Sequence, residues 1–271
     1  MTVWLNGNLV AGPAARIDPA DRGFTLGDGL FETIRAEAGQ AVGLDRHLAR
    51  LRQGAALLGI PVAWADQAIG SAIERLLAEL GLGSAAVRVT LTRGPAPRGV
   101  LPPAAPEPTL LITAGPLPGP AAPAHAVLAT GTRRNEFSPL TRVKSLNFLD
   151  NVLARREAAE RGADEALLLN TRGDLTEATI GNLFIEAGGQ LVTPPVTDGV
   201  LPGVMRARLL EVCGAVERTI APPDLFAADA ALISNALGLR AIASVDRRPI
   251  GSAPDGSLQL VAACQAALAG R

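Results

Sequence analysis

Apolar and polar residues alternate with two different periodicities along this chain, and together these predict a mixture of helices and strands. Residues 44–58 and 69–80 carry apolar side chains every three or four positions, which is the spacing of an amphipathic helix. Residues 86–92 and 110–113 alternate or are β-branched, which is typical of strands. The first five residues predict a short strand that enters an Asn6-Gly7 turn.

The same two periodicities occur in the second half of the chain. Helices are predicted over 148–161, 203–212 and 258–268. A strand is predicted over 166–169 and is closed by a turn at 170–174, and residues 182–193 predict a hairpin around Gly188-Gly189. Because helices and strands are mixed without a regular β-α-β alternation, the predicted fold class is α+β in two parts.

A proline-rich stretch separates the two halves. Residues 115–124 contain four prolines, which cannot donate to a strand ladder and which fix φ, so this stretch is predicted to be an extended connector. The predicted organisation is therefore a smaller N-terminal α/β domain over 1–114, a linker over 115–124 and a larger C-terminal domain over 125–271.

Composition excludes several classes of function. The 271 residues include 25 basic and 26 acidic side chains, which leaves no electrostatic footprint for nucleic acid or an anionic membrane. No apolar run is long enough to span a bilayer, and the first residues do not resemble a signal peptide, so a cytoplasmic protein is predicted. Cys213 and Cys264 are predicted to be buried, reduced thiols. The only histidines, His47 and His125, predict no metal site, and His47 is interpreted as structural.

The lysine content singles out one residue. All but one of the 25 basic residues are arginine, and Lys144 is the only lysine. A lone lysine could be a leftover surface residue, but Lys144 lies between apolar neighbours just before a predicted helix. Such surroundings can release a free amine that acts as a nucleophile. Arginine cannot replace it, because the guanidinium stays protonated.

Six short motifs then carry a resemblance to a known family. Residues 144–154 (KSLNFLDNVLA) resemble the lysine segment of class IV aminotransferases, and residues 175–184 (LTEATIGNLF) resemble their glutamate segment. Residues 201–206 (LPGVMR) are similar to the start of the family's phosphate-binding helix. Further matches occur at 21–24 (DRGF), 27–33 (GDGLFET) and 47–51 (HLARL). The motifs occur in the family's order and cover nearly the whole chain.

The resemblance implies a fold, a cofactor and an assembly. It implies the two-domain fold of fold-type IV enzymes, a homodimer, and pyridoxal 5′-phosphate (PLP) held in the C-terminal domain as a Schiff base on Lys144. Glu177 would face the pyridine nitrogen and keep it protonated, so that the ring can accept electrons. Arg50 would hold the cofactor phosphate, with Arg46 as the rival candidate.

The rest of the implied phosphate site contains a departure from the family. The backbone N–H groups of Val204 and Met205 would bind phosphate at the start of a helix. A further threonine of the family would fall at Ala236, so that contact is predicted to be lost and to be replaced by Asn235 or Ser234.

The predicted substrate residues are Phe31, Thr33, Arg35, Arg88 and Arg98. The three arginines stand at positions that bind carboxylates in one or another subfamily, and a buried guanidinium needs an anion. Each of them could equally be a surface arginine whose head group reaches water.

Three reactions remain open within the family. The leading hypothesis is a transaminase that moves the amino group of an amino acid, in particular a D-amino acid, to a 2-oxo acid such as 2-oxoglutarate or pyruvate. D-amino-acid transaminases, however, place a Tyr near Phe31 and a His near Val100, and both are missing. The close alternative is 4-amino-4-deoxychorismate lyase, whose substrate carries two carboxylates. A branched-chain aminotransferase is less favoured, because an aliphatic pocket requires no extra cations, and a PLP-binding protein without activity conflicts with Lys144 and Glu177.

Overall fold

The computed structural model describes residues 2–253 and 255–270, which group into two compact units. The first unit runs up to Gly119 and also takes in Val143–Asn147, and the second consists of Pro120–Arg142 and the chain from Phe148 onward. The predicted range 125–271 assigns Val143–Asn147 to the C-terminal domain, whereas this segment groups with the first unit. The domain ranges themselves stay a prediction.

The first unit is built on a six-stranded sheet in the order β2-β1-β6-β5-β3-β4. Its strands are β1 (Thr2–Leu5), β2 (Asn8–Ala11), β3 (Gly29–Glu37), β4 (Gln40–Ala41), β5 (Ala85–Thr92) and β6 (Thr109–Pro116). Its helices are α1 (Arg22–Leu26), α2 (Leu44–Leu58) and α3 (Asp66–Leu80).

Strand alternation gives this sheet two unlike faces. Leu30 and Ile34 of β3 pack with Val87 of β5 and with α2 and α3 in one hydrophobic core. The residues of β3 that alternate with these, among them Phe31 and Thr33, therefore lie on the opposite face. That face carries four of the five residues predicted to bind substrate, and the fifth, Arg98, lies in the loop after β5.

The second unit contains a nine-stranded mixed sheet in the order β12-β11-β10-β13-β14-β7-β8-β9, with β15 paired to β14. Its strands are β7 (Ala124–Leu128), β8 (Glu165–Leu169), β9 (Leu175–Ala178), β10 (Asn182–Ala187), β11 (Gln190–Thr193), β12 (Val216–Glu217), β13 (Ala230–Asn235), β14 (Gly238–Val245) and β15 (Arg248–Pro249). Its helices are α4 (Leu149–Glu160), α5 (Val204–Val212), α6 (Pro222–Phe226) and α7 (Gly256–Ala269).

The nine-stranded sheet curls back on itself, because β9 also pairs with β10 where Glu177 stands opposite Asn182. The side chains inside the curve form one apolar cluster that includes Leu167, Leu183 and Ile233. Helices α5 and α7 cover an outer face, and α4 packs on β8. Glu177 therefore lies where the curled sheet closes.

Most predicted elements are confirmed, with small shifts at their ends. The helix predicted over 44–58 matches α2, and the hairpin predicted over 182–193 is formed by β10 and β11. The helix predicted over 148–161 is one residue shorter at each end, because Phe148 and Arg161 are its caps. The predicted connector begins too early, since Gly115 and Pro116 still pair with β5. Met1 lies outside the described residues.

Both cysteines are free, as predicted, but only Cys264 is buried, and Cys213 is half-buried at the end of α5. Burial, together with the neighbouring Cys213, raises the pKa of the Cys264 thiol to about 12. A thiol of this kind is a poor nucleophile at neutral pH.

Candidate functional site

The segment that carries the single lysine lies beside the first residues of β3. The backbone N–H of Phe31 donates to the carbonyl oxygen of Lys144 at 2.9 Å, and the N–H of Leu146 donates to the carbonyl of Gly29 at 2.9 Å. These bonds fix the backbone on both sides of Lys144. Its Nζ lies 4.4 Å from the centroid of the Phe31 ring, and the side chain is half-buried. The amine is thus held against an aromatic face.

Arg88 packs against the same aromatic ring. Its guanidinium carbon lies 3.8 Å from the Phe31 centroid, and its Nε donates to Thr90 Oγ1 at 3.2 Å. Partial burial lowers the pKa of the Arg88 guanidinium, although much of the side chain is exposed and stays charged at neutral pH. Within the described part of the chain, no carboxylate forms an ion pair with Arg88. Its charge can therefore be met by an anionic ligand.

The other two predicted carboxylate-binding arginines differ from Arg88. Arg35 shares the face of Phe31 and Thr33 on β3, but its Nε donates to Glu37 at 2.6 Å. Arg98 is exposed in the loop after β5. Thr33 stands directly opposite Arg88 in the strand register. Phe31, Thr33 and Arg88 are therefore brought together, whereas Arg35 has an acidic partner and Arg98 lies outside the strands, in an exposed loop.

The loop that carries Arg98 is fixed by a buried arginine that the sequence analysis did not assign. Arg22 donates to the carbonyl oxygens of Gly99 and Val100 at 2.8 and 2.9 Å, and its Nε donates to Asp28 at 2.8 Å. Burial opposes ionisation of Asp28, but the hydrogen bonds from Arg93 and Arg22 outweigh it and lower the pKa of this carboxyl. The backbone next to Arg98 is held in place by this charged pair.

Arg50, the predicted phosphate ligand, is half-buried on α2 and is bound by Glu32. Its Nε donates to Glu32 Oε1 at 2.8 Å and one terminal nitrogen donates to Oε2 at 2.6 Å. His47 Nδ1 lies 2.7 Å from Oε2 of the same carboxylate. Arg46, the rival candidate one turn earlier, is exposed. Sequence reasoning assigned no role to Glu32, although a glutamate between core residues of a strand is a readable signal.

Glu177 lies at the end of β9, and its side chain is only 7% exposed. Oε1 pairs with a terminal nitrogen of Arg134 at 2.9 Å. Oε2 accepts from the backbone N–H of Leu201 at 3.0 Å and from the amide of Asn182 at 3.4 Å. The carboxylate is therefore held in one orientation by three donors. Arg134 was missed, because it stands outside every motif and meets Glu177 only in the folded unit.

The helix predicted to bind phosphate begins at Val204, after Gly203. No side chain caps this end of α5, and a Cβ at Gly203 would lie 2.0 Å from Asn182 Oδ1. Glycine is therefore required for the close approach of this turn to β10. Val204 and Met205 supply the first backbone N–H groups of the helix, which have no acceptor within it. The open end of α5 is a place where an anion can bind.

Neither predicted replacement for the lost threonine at Ala236 is settled by its contacts. Asn235 Oδ1 accepts from the N–H of Leu237 at 2.9 Å, and its amide donates to the carbonyl of Ile180 at 3.3 Å. Its side chain therefore shapes the turn around Ala236. Ser234 is fully buried opposite Asn182, and its hydroxyl has no hydrogen-bond partner among the described residues.

Two further features are absent from the described residues. Across residues 2–253 and 255–270, no group of three or more His, Cys, Asp or Glu side chains could hold a metal ion. In the same ranges, no helix has both the length and the apolar character needed to cross a membrane.

Comparisons with known proteins all point to one family. A family model described as amino-transferase class IV matches residues 29–245. A putative branched-chain-amino-acid aminotransferase of Methanocaldococcus jannaschii is 32% identical and covers 95% of this chain and 92% of its own length. A D-alanine aminotransferase of Bacillus licheniformis is 30% identical, with 95% and 93% covered.

A solved structure supports the same comparison at the level of the fold. The 4-amino-4-deoxychorismate lyase from Pseudomonas aeruginosa is 33% identical, with a TM-score of 0.82, and the match covers 99% of this chain and 98% of that one. The predicted two-domain α+β fold is confirmed by this similarity.

Proposed function

The chain belongs to the class IV amino-transferase family, and we propose that within it the protein is a transaminase that passes the amino group of an amino acid, in the first instance a D-amino acid, to a 2-oxo acid. The family works with PLP, so the resemblance and the cofactor inferred from the sequence motifs are confirmed. The substrate, the reaction within the family and the roles of individual residues are parts of the proposal.

The described residues fit PLP. Lys144 supplies an amine, and the backbone on both sides of this residue is fixed by hydrogen bonds. Glu177 supplies a buried carboxylate. The uncapped start of α5 supplies N–H donors, at a turn where a Cβ on Gly203 would collide with Asn182. Arg50 supplies a permanent positive charge held in one orientation. These are the groups that an aldehyde, a ring nitrogen and a phosphate require, and we assign them to those parts of the cofactor.

When it is bound, PLP supplies an electron sink for the substrate's Cα. Lys144 would hold the cofactor through its side-chain amine, and the same amine would act as the base that takes a proton from the substrate's Cα. Glu177, oriented by Arg134 and by the Leu201 N–H, would keep a proton on the ring nitrogen. Val204 and Met205 would bind the phosphate through their backbone N–H groups, next to the turn at Asn235 and Ala236.

One observation carries the choice of substrate class. Arg88 and Lys144 lie against the same ring, that of Phe31, and Arg88 has no acidic partner in the described residues. A cation held against the same ring as the reacting amine suits a substrate that has a carboxylate next to its amino group. Thr33, opposite Arg88, would border the same substrate. Arg35 is the weaker candidate, because Glu37 already neutralises it.

The lyase is the second candidate. The solved lyase from Pseudomonas aeruginosa is 33% identical to this chain over nearly its whole length. A substrate with two carboxylates would use a second cation, and Arg98 stands in a loop whose backbone is anchored by Arg22. A branched-chain aminotransferase is the least favoured of the three reactions, because an aliphatic side chain requires no cation beyond the one that binds the α-carboxylate.

The family also implies a homodimer, and the first unit has a surface that suits one. Phe24, Val100 and Leu101 are 78%, 85% and 87% exposed, and Val100 and Leu101 are neighbours in the chain. Val100 follows the anchored backbone of Gly99, so this apolar surface is held in shape. We propose that a second copy covers it. Light scattering on the purified protein should give about twice the mass of 27.8 kDa, and a monomer would refute this part.

A spectroscopic experiment tests the proposed reaction. PLP-loaded protein is mixed with D-alanine or D-glutamate alone, and the visible band of the bound cofactor is followed. Loss of the band, and its return with 2-oxoglutarate, would support a transaminase. If the band persists while aminodeoxychorismate yields pyruvate without an acceptor, the lyase is correct. The Arg88→Gln variant should respond only at much higher amino-acid concentrations, whereas Arg35→Gln, the matched control, should respond as the wild type does.

A further inference from the structure

Glu32 occupies a position where a charged residue is unexpected. It lies on β3 between Leu30 and Ile34, both of which belong to the hydrophobic core, and it is 0% exposed. A buried carboxylate is costly unless it is paired and hydrogen-bonded. An apolar residue would suit a core position of this strand better, so a function for Glu32 must lie in the groups it holds.

Those groups are two side chains one turn apart on α2. Arg50 contacts the carboxylate side-on through Nε and one terminal nitrogen, and His47 Nδ1 lies beside Oε2. Burial opposes ionisation of Glu32, but the donors from Arg50 and His47 outweigh it and lower the pKa of this carboxyl. Glu32 is therefore an anion at neutral pH, and it engages two points of the Arg50 guanidinium.

Two contacts to one planar group fix its orientation as well as its position. The side-on contact uses two of the five N–H donors of a guanidinium, and it turns the remaining edge of Arg50 away from Glu32. The Arg50 side chain is 11% exposed. Arg46, one turn earlier on the same helix, is exposed. Burial thus distinguishes Arg50 from Arg46.

We infer that Glu32 is a positioning residue that, with His47, fixes the guanidinium of Arg50 for the phosphate of the cofactor. The inference rests on the proposed role of Arg50 as a phosphate ligand. Glu32 brings a negative charge close to that site, which by itself weakens the binding of an anion. Orientation must therefore outweigh charge, and the two effects predict opposite results when Glu32 is replaced.

The experiment compares PLP with pyridoxal, which has the same aldehyde and ring but lacks the phosphate. Both ligands are titrated into the full-length apoprotein, and binding is followed through the visible band. The Glu32→Gln variant keeps the volume and one acceptor oxygen, but it places an NH2 group against Arg50 or His47. We expect its Kd for PLP to rise about 10–100-fold, by analogy with the loss found when a partner that orients a metal ligand is removed. Its Kd for pyridoxal should change less than about threefold.

Glu136→Gln is the matched control. Glu136 is also buried and paired with an arginine, Arg172, but it lies in the second unit and is proposed to have no part in phosphate binding. Its ratio of the two dissociation constants should stay that of the wild type. Glu32→Asp, which keeps the charge but withdraws the carboxylate by one methylene, should lower the selectivity for PLP as well, and it serves if Glu32→Gln does not fold.

Other outcomes would overturn the inference. Equal losses of PLP and pyridoxal binding would make Glu32 a residue of the scaffold only. Tighter PLP binding by Glu32→Gln would show that its charge dominates. The proposed function is tested separately: if Arg50→Met leaves the ratio unchanged, Arg50 is not a phosphate ligand, and if the wild type develops no visible band with PLP, the assignment of the site fails.

Discussion

Each of the two units buries one glutamate–arginine pair beside a proposed cofactor contact, and the two pairs are proposed to work in opposite senses. In the first unit, Glu32 lies within the core and holds Arg50, which is the member assigned to the ligand. In the second unit, Arg134 holds Glu177, which is the member assigned to the ligand. Both pairs are largely buried, and in both the carboxylate accepts from an arginine nitrogen. What distinguishes them is location: Glu32 stands among apolar core residues, whereas Glu177 stands where β9 meets β10 and contacts the chain leading into α5.

Replacing the ligand-facing member of the second pair should have the largest effect. Glu177→Gln removes the charge that keeps a proton on the ring nitrogen, and we expect turnover to fall about 10²–10³-fold while the protein still binds PLP. Steady-state rates and the visible spectrum measure the two effects. If Glu177→Gln kept wild-type turnover, the assignment of Glu177 would be wrong.

Replacing the positioning member of the same pair should have a smaller effect. Arg134→Met leaves Glu177 with the Leu201 N–H and the Asn182 amide, so its position is loosened but not lost. We expect turnover to fall about tenfold, which corresponds to about 1.4 kcal/mol, and Arg134→Lys to restore much of it. Equal losses from Arg134→Met and Arg134→Lys would indicate damage to the scaffold. A loss from Arg134→Met as large as that from Glu177→Gln would remove the distinction between the two members.

Arg88, which has no acidic partner among the described residues, can be compared with the two buried pairs. Arg88→Gln should raise KM for the amino acid about tenfold, with a small change in kcat, because a charge-assisted hydrogen bond contributes about 1.5–3 kcal/mol to binding. Arg35→Gln should leave KM close to that of the wild type, since Arg35 is already paired with Glu37. If the two substitutions raise KM equally, the assignment of Arg88 to the substrate carboxylate is contradicted.

The smallest effect is expected at a glutamate away from both pairs. Glu157 accepts from the backbone N–H groups of Thr130 and Gly131, from the Thr130 hydroxyl and from Arg161. Burial opposes its ionisation, but these hydrogen bonds outweigh it and lower the pKa of Glu157 to about 2 from an ordinary value of 4.5.

Because the pKa is lowered on folding, the ionised Glu157 stabilises the protein above about pH 4.5, and this contribution is lost as the pH falls towards 2. We expect Glu157→Gln to lower the free energy of unfolding by about 1 kcal/mol at pH 7 and by much less near pH 2. PLP binding at pH 7 should be unchanged. Denaturant titrations at several pH values measure the difference, and a difference that does not vary with pH would contradict the assignment.

The comparison also shows which features can be read from a sequence. Periodicity predicted α2 and the β10–β11 hairpin, because these elements satisfy their hydrogen bonds locally or between neighbours in the chain. Motifs singled out Lys144 and Glu177, whose roles stay a prediction. Arg134 carries no such signal, since its pairing with Glu177 depends on the tertiary fold of the second unit.

Two further features are only partly readable from the sequence. Glu32 interrupts the apolar alternation of β3, so the sequence contains a sign of it but not the identity of its partners on α2. The segment Val143–Asn147 pairs with β3 from more than a hundred residues away, and no local pattern predicts which unit such a short segment joins.

The most direct test of the central assignment uses the fact that Lys144 is the only lysine of the chain. The PLP-loaded protein is reduced with borohydride, digested, and analysed by mass spectrometry for a phosphopyridoxyl group. The account predicts that the group is found on the peptide that contains Lys144, and that the Lys144→Ala protein shows neither the modified peptide nor the visible band. A phosphopyridoxyl group found elsewhere, or full turnover by Lys144→Ala, would contradict it.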